Sequence, residues 1–370
     1  MLSKSIDFLL EYAGPVIKYR LKKEILKDIT KTEEENLLGQ IYQMPYFKLL
    51  ETYVKPDGYI GNGMHSWDNW RGQKLHETPL QDGEAAARLL SYYSIPKTHP
   101  FVSGYVQAMR DEEILRKEFS YIPPEIPRFE NRFIGLNSGN SLMALIYTMQ
   151  AMLGYGDDYE DLKEFQQISL KGFQRVLDIS SLDEIITFHE GAKRSYHYID
   201  ANEYFPDVYT LGMLAYTQSW RAENTVKMLG DSLNHINAVM KPENSMYIRI
   251  KGKYIAPCGA FIHPFRPFHP DAPDSIFYRR ALTEIAMLGV GNSVDVIKES
   301  VSNIEEELEK DGILRMYSVI PKDKCYRAQK IGFPSAYTDV RLEADYKIEK
   351  AWLCDLTFWA VQFLYLVKGI

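Results

Sequence analysis

The stretch HSWDNWRGQKLHETPLQDGE, residues 65–84, concentrates side chains that can transfer protons or contact a ligand. His65 and Asp68 carry imidazole and carboxyl groups, which proteins often use as general acids and bases. They are flanked by Trp67 and Trp70, and aromatic side chains next to acidic ones suit a ligand-binding surface. A loop packed onto the rim of a fold would have the same composition. With that alternative open, we take His65 and Asp68 as candidate catalytic residues and the two tryptophans as candidate substrate contacts.

A second dense cluster is FHEGAKRSYHYIDANEYFPD, residues 188–207. Its alternation of residue types predicts a strand or the edge of a hairpin. His197 and Asp200 are further candidates for acid–base chemistry, and Tyr198 is a candidate substrate contact. The alternative is a surface hairpin whose polar side chains are simply solvated.

The segment HPFRPFHPDAPD, residues 263–274, is rich in proline, which fixes φ and makes the chain stiff and extended. Such a segment would present its other side chains with little loss of entropy. Arg266 is a candidate for holding an anionic group, because its guanidinium matches carboxylate and phosphate geometry. Phe268 is a candidate substrate contact and His269 a candidate catalytic residue. A rigid lid with no chemical role fits the segment equally well.

The elements that position these segments form a repeat. AMLGYGDDYEDLKEF (151–165) matches AMLGVGNSVDVIKES (286–300): an apolar helix ends at Leu-Gly and a polar helix follows. Further hairpins of this shape recur along the chain. The first helix of each is apolar on nearly all sides and the second is amphipathic, which predicts an inner and an outer ring. The inner helices are expected at 78–93, 140–153, 207–220, 274–288 and 350–368, and the outer ones at 98–117, 159–177, 222–240 and 293–310. A further hairpin at the N-terminus, 3–13 with 15–27, gives a sixth candidate inner helix, and the segment 33–54 adds an outer pair.

Several charged residues fall on the predicted inner helices, where they should be buried. Glu84 and Arg88 are spaced to form an i,i+4 ion pair, as are Arg280 and Glu284, whereas Asp355 has no cation near it in sequence. A buried charge needs a partner or a function. These five residues are therefore either structural pairs or groups that bind substrate.

The connections between hairpins are unequal in length, which predicts one functional face. The turns within hairpins are short, whereas the connections between them, at 55–77, 118–139, 178–206, 241–273 and 311–349, are long. Long ordered loops in a compact fold are usually functional. Six of the eight histidines lie in these connections. We therefore expect a substrate site at the long-loop end, where helix N-termini also favour anionic groups.

A ring of about six inner helices within about six outer helices is an all-α α/α toroid, expected here as a single domain over residues 1–370. The loop YVKPDGYIG (53–61), the small-residue helix after it, and a second copy of the loop, LEKDGIL (308–314), resemble the repeat of the terpenoid-cyclase and protein-prenyltransferase superfamily. The resemblance implies an enzyme that acts on a medium-sized, partly apolar substrate.

The metal and acid motifs of that superfamily are mostly missing. No Asp-x-Asp-Asp string occurs, and Asp323-Lys324-Cys325 has no histidine after it to complete a zinc site. DDYED (157–161) has the form of a magnesium motif, but it lies on a short turn, where a helix N-cap explains it. We therefore expect acid–base chemistry with neither a metal nor a cofactor.

Two other functions remain open, because the same double ring occurs in unrelated proteins. One is an (α/α)6 carbohydrate-active hydrolase or lyase, in which aromatic residues stack on sugars while carboxyl groups and histidines transfer protons. The charged inner helices favour this function over a cyclase of pure hydrocarbons. The other is a non-catalytic toroid that binds a ligand or a protein.

Composition narrows the partners to a small molecule or a glycan. The net charge of −7 and the dispersed basic residues argue against nucleic-acid binding. Three cysteines without a CxxC indicate a reducing compartment, and no signal segment is apparent, so we expect a cytoplasmic protein. The apolar C-terminal segment contains Asp355 and Gln362 and is expected to be a buried helix rather than a membrane span. Nothing in the sequence indicates an oligomeric state.

Overall fold

The computed structural model of the protein describes residues 2–63, 83–118, 142–192, 195–200, 203, 205–239, 246–250, 254–257, 265–272, 279–317, 340–345 and 348–369. The candidates His65, Trp67, Asp68 and Trp70 lie outside the described residues. The catalytic and substrate-binding roles of these four residues therefore stay predictions.

The described chain is mostly helical, as the hairpin pattern predicted. Its α-helices are α1 Leu2–Tyr12, α2 Pro15–Arg20, α3 Lys31–Ile41, α4 Pro45–Glu51, α5 Gly83–Tyr92, α6 Pro100–Arg110, α7 Glu112–Glu118, α8 Leu142–Met152, α9 Glu160–Leu177, α10 Val208–Ala215, α11 Glu223–Val239, α12 Arg279–Met287, α13 Asp295–Asp311 and α14 Glu349–Lys368. A π-helical turn, Leu21–Leu26, continues α2. Among the described helices, none is long and apolar enough to cross a membrane.

The chain divides into two compact units. Unit 1 comprises Met1–Ile114, Arg266–Thr283 and Val296–Ile370, and unit 2 comprises Leu115–Phe265 and Glu284–Asp295. The expectation of one domain over the whole chain stays a prediction. Each unit has its own buried apolar side chains, so each is described by itself.

In unit 1 the first and last helices of the chain pack together. α1 contacts α14, and α2 with its π-helical turn contacts α14 as well. α14 is buried over most of its length because it is apolar on nearly every side, including Phe358, Val361 and Leu364. Burying a large apolar side chain contributes about 1.5–3 kcal/mol, so this helix is a main part of the core of unit 1.

The two Asp-Gly loops have the same local geometry, as their sequences suggested. Gly58 and Gly312 both have φ +85°, in the left-handed region that favours glycine. In each loop the preceding aspartate accepts a hydrogen bond at 3.1 Å from the backbone N–H two residues on. Each glycine also lies close to the backbone of a helix, where a Cβ would be 2.9 Å from Gly104 O or from Ser5 N. Both loops therefore require glycine for two reasons: the positive φ, and the close approach to the backbone of a helix.

In unit 2 helices of like character pack together. The apolar helices α8 and α10 contact each other, and the amphipathic helices α9 and α11 contact each other. α9 also contacts both α8 and α10.

The short turns of neighbouring hairpins are joined in unit 2. Gly154 and Gly289 have positive φ where α8 and α12 end, as predicted for C′ glycines. Asp157 accepts hydrogen bonds at 2.8 and 3.0 Å from the N–H groups of Gln218 and Ser219 in the next turn. The N-cap of α9 is Tyr159 and has no side-chain bond, so the prediction that an aspartate of DDYED caps this helix is wrong for Asp157. That carboxylate joins two turns instead.

Unit 2 also contains a four-stranded sheet in the order β1-β2-β3-β4. Its strands are β1 Thr187–His189, β2 Tyr196–Asp200, β3 Met246–Ile250 and β4 Tyr254–Pro257. β1 and β2 form an antiparallel hairpin, where the alternating sequence predicted a strand or the edge of a hairpin. β3 pairs parallel with β2 and was not predicted. Parallel pairing depends on a crossover through α10 and α11, which local alternation does not reveal.

Candidate functional site

In the described part of unit 1, several buried ionisable groups surround residues 340–345, which we name the strap. The strap precedes α14 and carries no regular secondary structure, so its backbone polar groups need partners from elsewhere. Tyr93, just after α5, donates from its hydroxyl to the carbonyl of Arg341 at 3.3 Å. The N–H of Leu342 donates to Asp355 Oδ2 at 3.1 Å. The strap is thereby joined to two of the predicted inner helices.

Two further bonds hold the other half of the strap. Glu343 Oε1 accepts a hydrogen bond of 2.6 Å from the N–H of Gly14, at the start of α2. The hydroxyl of Tyr46, on α4, donates to the carbonyl of Ala344 at 3.4 Å. Four consecutive residues of the strap, 341–344, are therefore each bonded to a different helix or helix end.

Asp355 finds its cationic partner through the tertiary structure. Arg279 is the first residue of α12, and its Nη1 lies 3.7 Å from Oδ1 of Asp355. Both side chains are 6% exposed. No sequence-local rule could have identified this pair, because the partner belongs to another hairpin. The ion pair and the Leu342 N–H together compensate for the burial of this carboxylate.

Glu343 is a carboxyl group of unit 1 in an unusual environment. Burial raises the pKa of Glu343 to about 7; the Gly14 N–H bond acts against this rise, and the negative charge of Asp355 adds to it. A Cβ on Gly14 would lie 2.5 Å from Glu343 Oε2, so glycine is needed for the carboxyl group to approach this closely. Glu343 can therefore exchange a proton near neutral pH, which is what a general acid or base requires.

Tyr93 supplies a neutral hydroxyl beside these carboxyl groups. Burial raises the pKa of Tyr93 well above its usual value, and the charges of Tyr46, Asp355 and Glu343 act in the same direction. Its phenol thus stays protonated and remains a hydrogen-bond donor. The cluster brings together a carboxyl group that titrates near neutrality, a carboxylate paired with arginine, and a fixed donor, a combination that can perform acid–base chemistry.

The predicted pair on α5 is confirmed. Arg88 donates to Glu84 Oε1 from Nη2 at 2.7 Å and from Nε at 3.2 Å, and both side chains are 1% exposed. On α12, Arg280 is half-buried and Glu284 is buried, in agreement with the expectation that inner-helix charges are shielded from solvent.

The candidates on the predicted hairpin lie on β2 in unit 2. His197 and Tyr198 are half-buried and Asp200 is exposed. Since side chains alternate along a strand, His197 and Asp200 point to opposite faces of the sheet. The ring of His197 lies 5.1 Å from that of Phe188. The strand geometry therefore does not bring the two candidate catalytic residues together.

The proline-rich candidates lie in unit 1 and have different environments. Arg266 and His269 are exposed, and the His269 ring accepts a hydrogen bond of 3.1 Å at Nδ1 from the N–H of Asp271. Phe268 is fully buried, with its ring centroid 4.9 Å from that of Trp359. The expectation that the segment presents Phe268 to a substrate is therefore corrected: the side chain packs in the core.

Sequence reasoning overlooked Asp207, the N-cap of α10 in unit 2. Its Oδ1 accepts hydrogen bonds of 2.8 and 2.9 Å from the N–H groups of Tyr209 and Thr210, and its own N–H donates to Thr210 Oγ1 at 2.8 Å. The side chain is fully buried, and burial raises the pKa of Asp207 to about 7 against those backbone bonds. An aspartate three residues before a threonine at a helix start is a capping-box signal that could have identified it.

Glu343 was also overlooked, since nothing in its polar local sequence, RLEADYKIEK, indicates burial. Within the part of the chain that the structure describes, no group of three or more His, Cys, Asp or Glu side chains could hold a metal ion. Comparisons with protein-family models, with curated proteins and with solved structures find no match to this chain.

Proposed function

We propose that this protein is an enzyme that uses Glu343 and Asp355 for acid–base catalysis. The observation that carries the proposal is the pair of carboxyl groups beside the strap, one of which has a pKa of about 7. Strongly perturbed pKa values concentrate at functional sites, and two carboxyl groups in unlike environments can divide the roles of acid and base. In this proposal Glu343 transfers the proton, and Asp355, paired with Arg279, supplies a fixed negative charge.

We also propose that the helices form an α/α toroid like that of the terpenoid-cyclase and protein-prenyltransferase superfamily. Three features support it. The Asp-Gly loops share one geometry, α1 packs against α14 at the two ends of the chain, and in unit 2 apolar helices pack on apolar helices and amphipathic helices on amphipathic ones. The toroid would place a medium-sized, partly apolar substrate near the starts of the inner helices, without a metal or cofactor.

A glycan is the second candidate substrate, and the charged inner helices favour it over a pure hydrocarbon. Glu84 and Arg88 on α5, and Asp355 on α14, are buried charges on helices that would surround the substrate. Charged groups bind hydroxyl and carboxylate groups well but offer little to a hydrocarbon chain. An (α/α)6 hydrolase or lyase would use the same acid–base pair. Cys354 is a free buried thiol, which agrees with a cytoplasmic location.

The test compares the wild-type protein with Glu343→Gln on two substrate panels. One panel contains neutral and uronic-acid oligosaccharides, followed by the appearance of reducing or unsaturated ends; the other contains prenyl diphosphates, followed by diphosphate release. Glu349→Gln is the matched control, because Glu349 is an exposed glutamate at the start of α14. We expect turnover on one panel, a loss of ~100-fold or more in Glu343→Gln, and little change in the control.

Two outcomes would contradict the proposal. Wild-type turnover in Glu343→Gln would show that this carboxyl group does not transfer the proton. Binding of a panel member without turnover by the wild-type protein would instead support a non-catalytic binding toroid.

A further inference from the structure

We propose that Asn62 is a site of spontaneous deamidation and that the isoaspartate formed there weakens the attachment of α5. The inference goes beyond the proposed function, since it concerns the covalent structure of one loop and holds whether or not the protein is an enzyme. It rests on the sequence and bonding of residues 61–63, which follow the first Asp-Gly loop.

Asn62 has the surroundings in which an asparagine side chain reacts with its own backbone. It is followed by Gly63, and this is the only Asn-Gly pair in the sequence. Glycine has no Cβ, so no side chain shields its nitrogen from the asparagine before it. Asn62 is half-buried and lies outside helices and strands, and within the described residues its side chain makes no hydrogen bond. Its amide group is therefore free to turn toward the Gly63 nitrogen.

The reaction consumes one molecule of water and releases one of ammonia. The backbone nitrogen of Gly63 attacks Cγ of Asn62 and loses its proton; a C–N bond forms, and the side-chain nitrogen takes up a proton and leaves as ammonia. The product is a cyclic succinimide. Water opens this ring at one carbonyl carbon to give aspartate or at the other to give isoaspartate. In isoaspartate the main chain passes through Cβ and Cγ, so it is one carbon atom longer.

The backbone on either side of Asn62 can follow the rotation that ring closure requires. Gly61 and Gly63 have φ of +84° and +70°, in the left-handed region. Glycine occupies this region about as readily as the others, so it can change conformation at little cost. Two such neighbours allow Asn62 to rotate without moving the rest of the loop.

The residues that flank the reactive asparagine are each attached to the fold of unit 1. Before it, the N–H of Gly61 donates to the carbonyl of Tyr53 at 3.2 Å. After it, the carbonyl of Gly63 accepts two hydrogen bonds. One comes from the hydroxyl of buried Tyr59 at 2.9 Å, and the other from the N–H of Gly83, the first residue of α5, at 2.8 Å. The asparagine thus lies between two attached points.

An extra main-chain atom between these two points displaces Gly63 from its partners. The added C–C bond is about 1.5 Å long. A hydrogen bond tolerates a much smaller change in distance, because N–H···O contacts lie within about 2.7–3.2 Å. Isoaspartate at position 62 therefore weakens the connection between the loop and the start of α5, the helix that carries the buried pair of Glu84 and Arg88.

Ageing of the full-length wild-type protein tests the modification. The folded protein is kept in mildly alkaline buffer, which favours loss of the Gly63 N–H proton, and is then digested and analysed by mass spectrometry. Isoaspartate is detected by methyl transfer from S-adenosylmethionine with an isoaspartyl methyltransferase. We expect Asn62 to lose its amide and the peptide that contains it to accept methyl groups. Retention of the amide at Asn62 would overturn the proposal.

Asn292 is the internal control in the same digest. It is exposed, but it is followed by Ser293, whose N–H donates to the carbonyl of Val290 at 3.1 Å. The attacking nitrogen is therefore held in a hydrogen bond and is shielded by a side chain. Asn292 should keep its amide while Asn62 loses it, and equal loss at both positions would overturn the role assigned to the Asn62 surroundings.

Two variants test the consequence for stability in urea denaturation. The ratio of unfolded to folded protein should rise by up to about tenfold for each hydrogen bond lost in the isoaspartate form of the wild-type protein. Aged Asn62→Gln should not change, because glutamine would have to form a larger ring. Freshly prepared Asn62→Asp carries the new charge without the extra atom and should resemble unaged wild type. An isoaspartate form as stable as unaged wild type, or an equal loss in Asn62→Asp, would overturn the effect of the longer chain.

Discussion

Replacing Asp207 by asparagine should make the protein more stable at neutral pH than at acidic pH, relative to wild type. Asparagine is as good an N-cap as aspartate and keeps the oxygen that accepts from Tyr209 and Thr210. What it removes is the ionisation of a fully buried carboxyl group. The comparison therefore isolates the free energy of placing a negative charge at the start of α10.

The magnitude follows from the pKa of Asp207, which burial raises from 3.8 to about 7. A raised pKa in the folded state contributes stability below about pH 4, and this contribution is lost as the pH rises to about 7. A difference of about three pKa units corresponds to about 4 kcal/mol. The free energy of unfolding of Asp207→Asn minus that of wild type should therefore rise by about 4 kcal/mol over this interval and then stay constant.

Urea denaturation followed by far-ultraviolet circular dichroism, at half-unit steps from about pH 4 to about pH 8, measures this difference. Asp231→Asn on α11 is the control, since Asp231 is exposed and pairs with the exposed Lys227. An exposed pair is worth about 0–1 kcal/mol, so its difference from wild type should vary little with pH. A difference for Asp207→Asn that is equally flat would refute the assignment of a raised pKa to Asp207.

Two other substitutions test buried polar contacts of unit 1. In urea denaturation, Gly14→Ala should lower the free energy of unfolding by about 1–3 kcal/mol, because the new Cβ would displace Glu343 from the N–H of residue 14. Gly39→Ala is the control: nothing lies within 4 Å of the new Cβ, so this change should be neutral or stabilising. Arg88→Met should lower the free energy of unfolding by about 3–5 kcal/mol, because it removes the cation that pairs with buried Glu84. In a double-mutant cycle, adding Glu84→Gln should recover part of that loss. An Arg88→Met protein as stable as wild type would show that the buried pair contributes nothing.

Periodic and local features were predictable from the sequence. The apolar and amphipathic helix patterns located the helical hairpins, and the alternation within residues 188–207 predicted a strand or hairpin edge where β2 lies. The i,i+4 spacing identified the pair formed by Glu84 and Arg88. Each of these depends on residues that are close in sequence, so the sequence contains the whole signal.

Long-range placement was not predictable in the same way. Arg279 pairs with Asp355 from a different hairpin, and Gly14 approaches Glu343 from the beginning of the chain. The polar sequence around Glu343 suggests exposure, yet the fold buries it. Phe268 was expected to face a ligand because proline stiffens its segment, but stiffness does not determine which side chains turn inward.

The most direct test of the proposed acid–base site is a titration of Glu343 itself. Carbon-13 labelling of glutamate side-chain carboxyl groups separates them from every aspartate, including Asp207, and NMR then follows each glutamate with pH. A glutamate resonance with a midpoint of about 7 is expected in the wild-type protein, and it should be missing in Glu343→Gln. If every glutamate titrates below about pH 5.5, the carboxyl group beside the strap has an ordinary pKa, and the proposed acid–base site is contradicted.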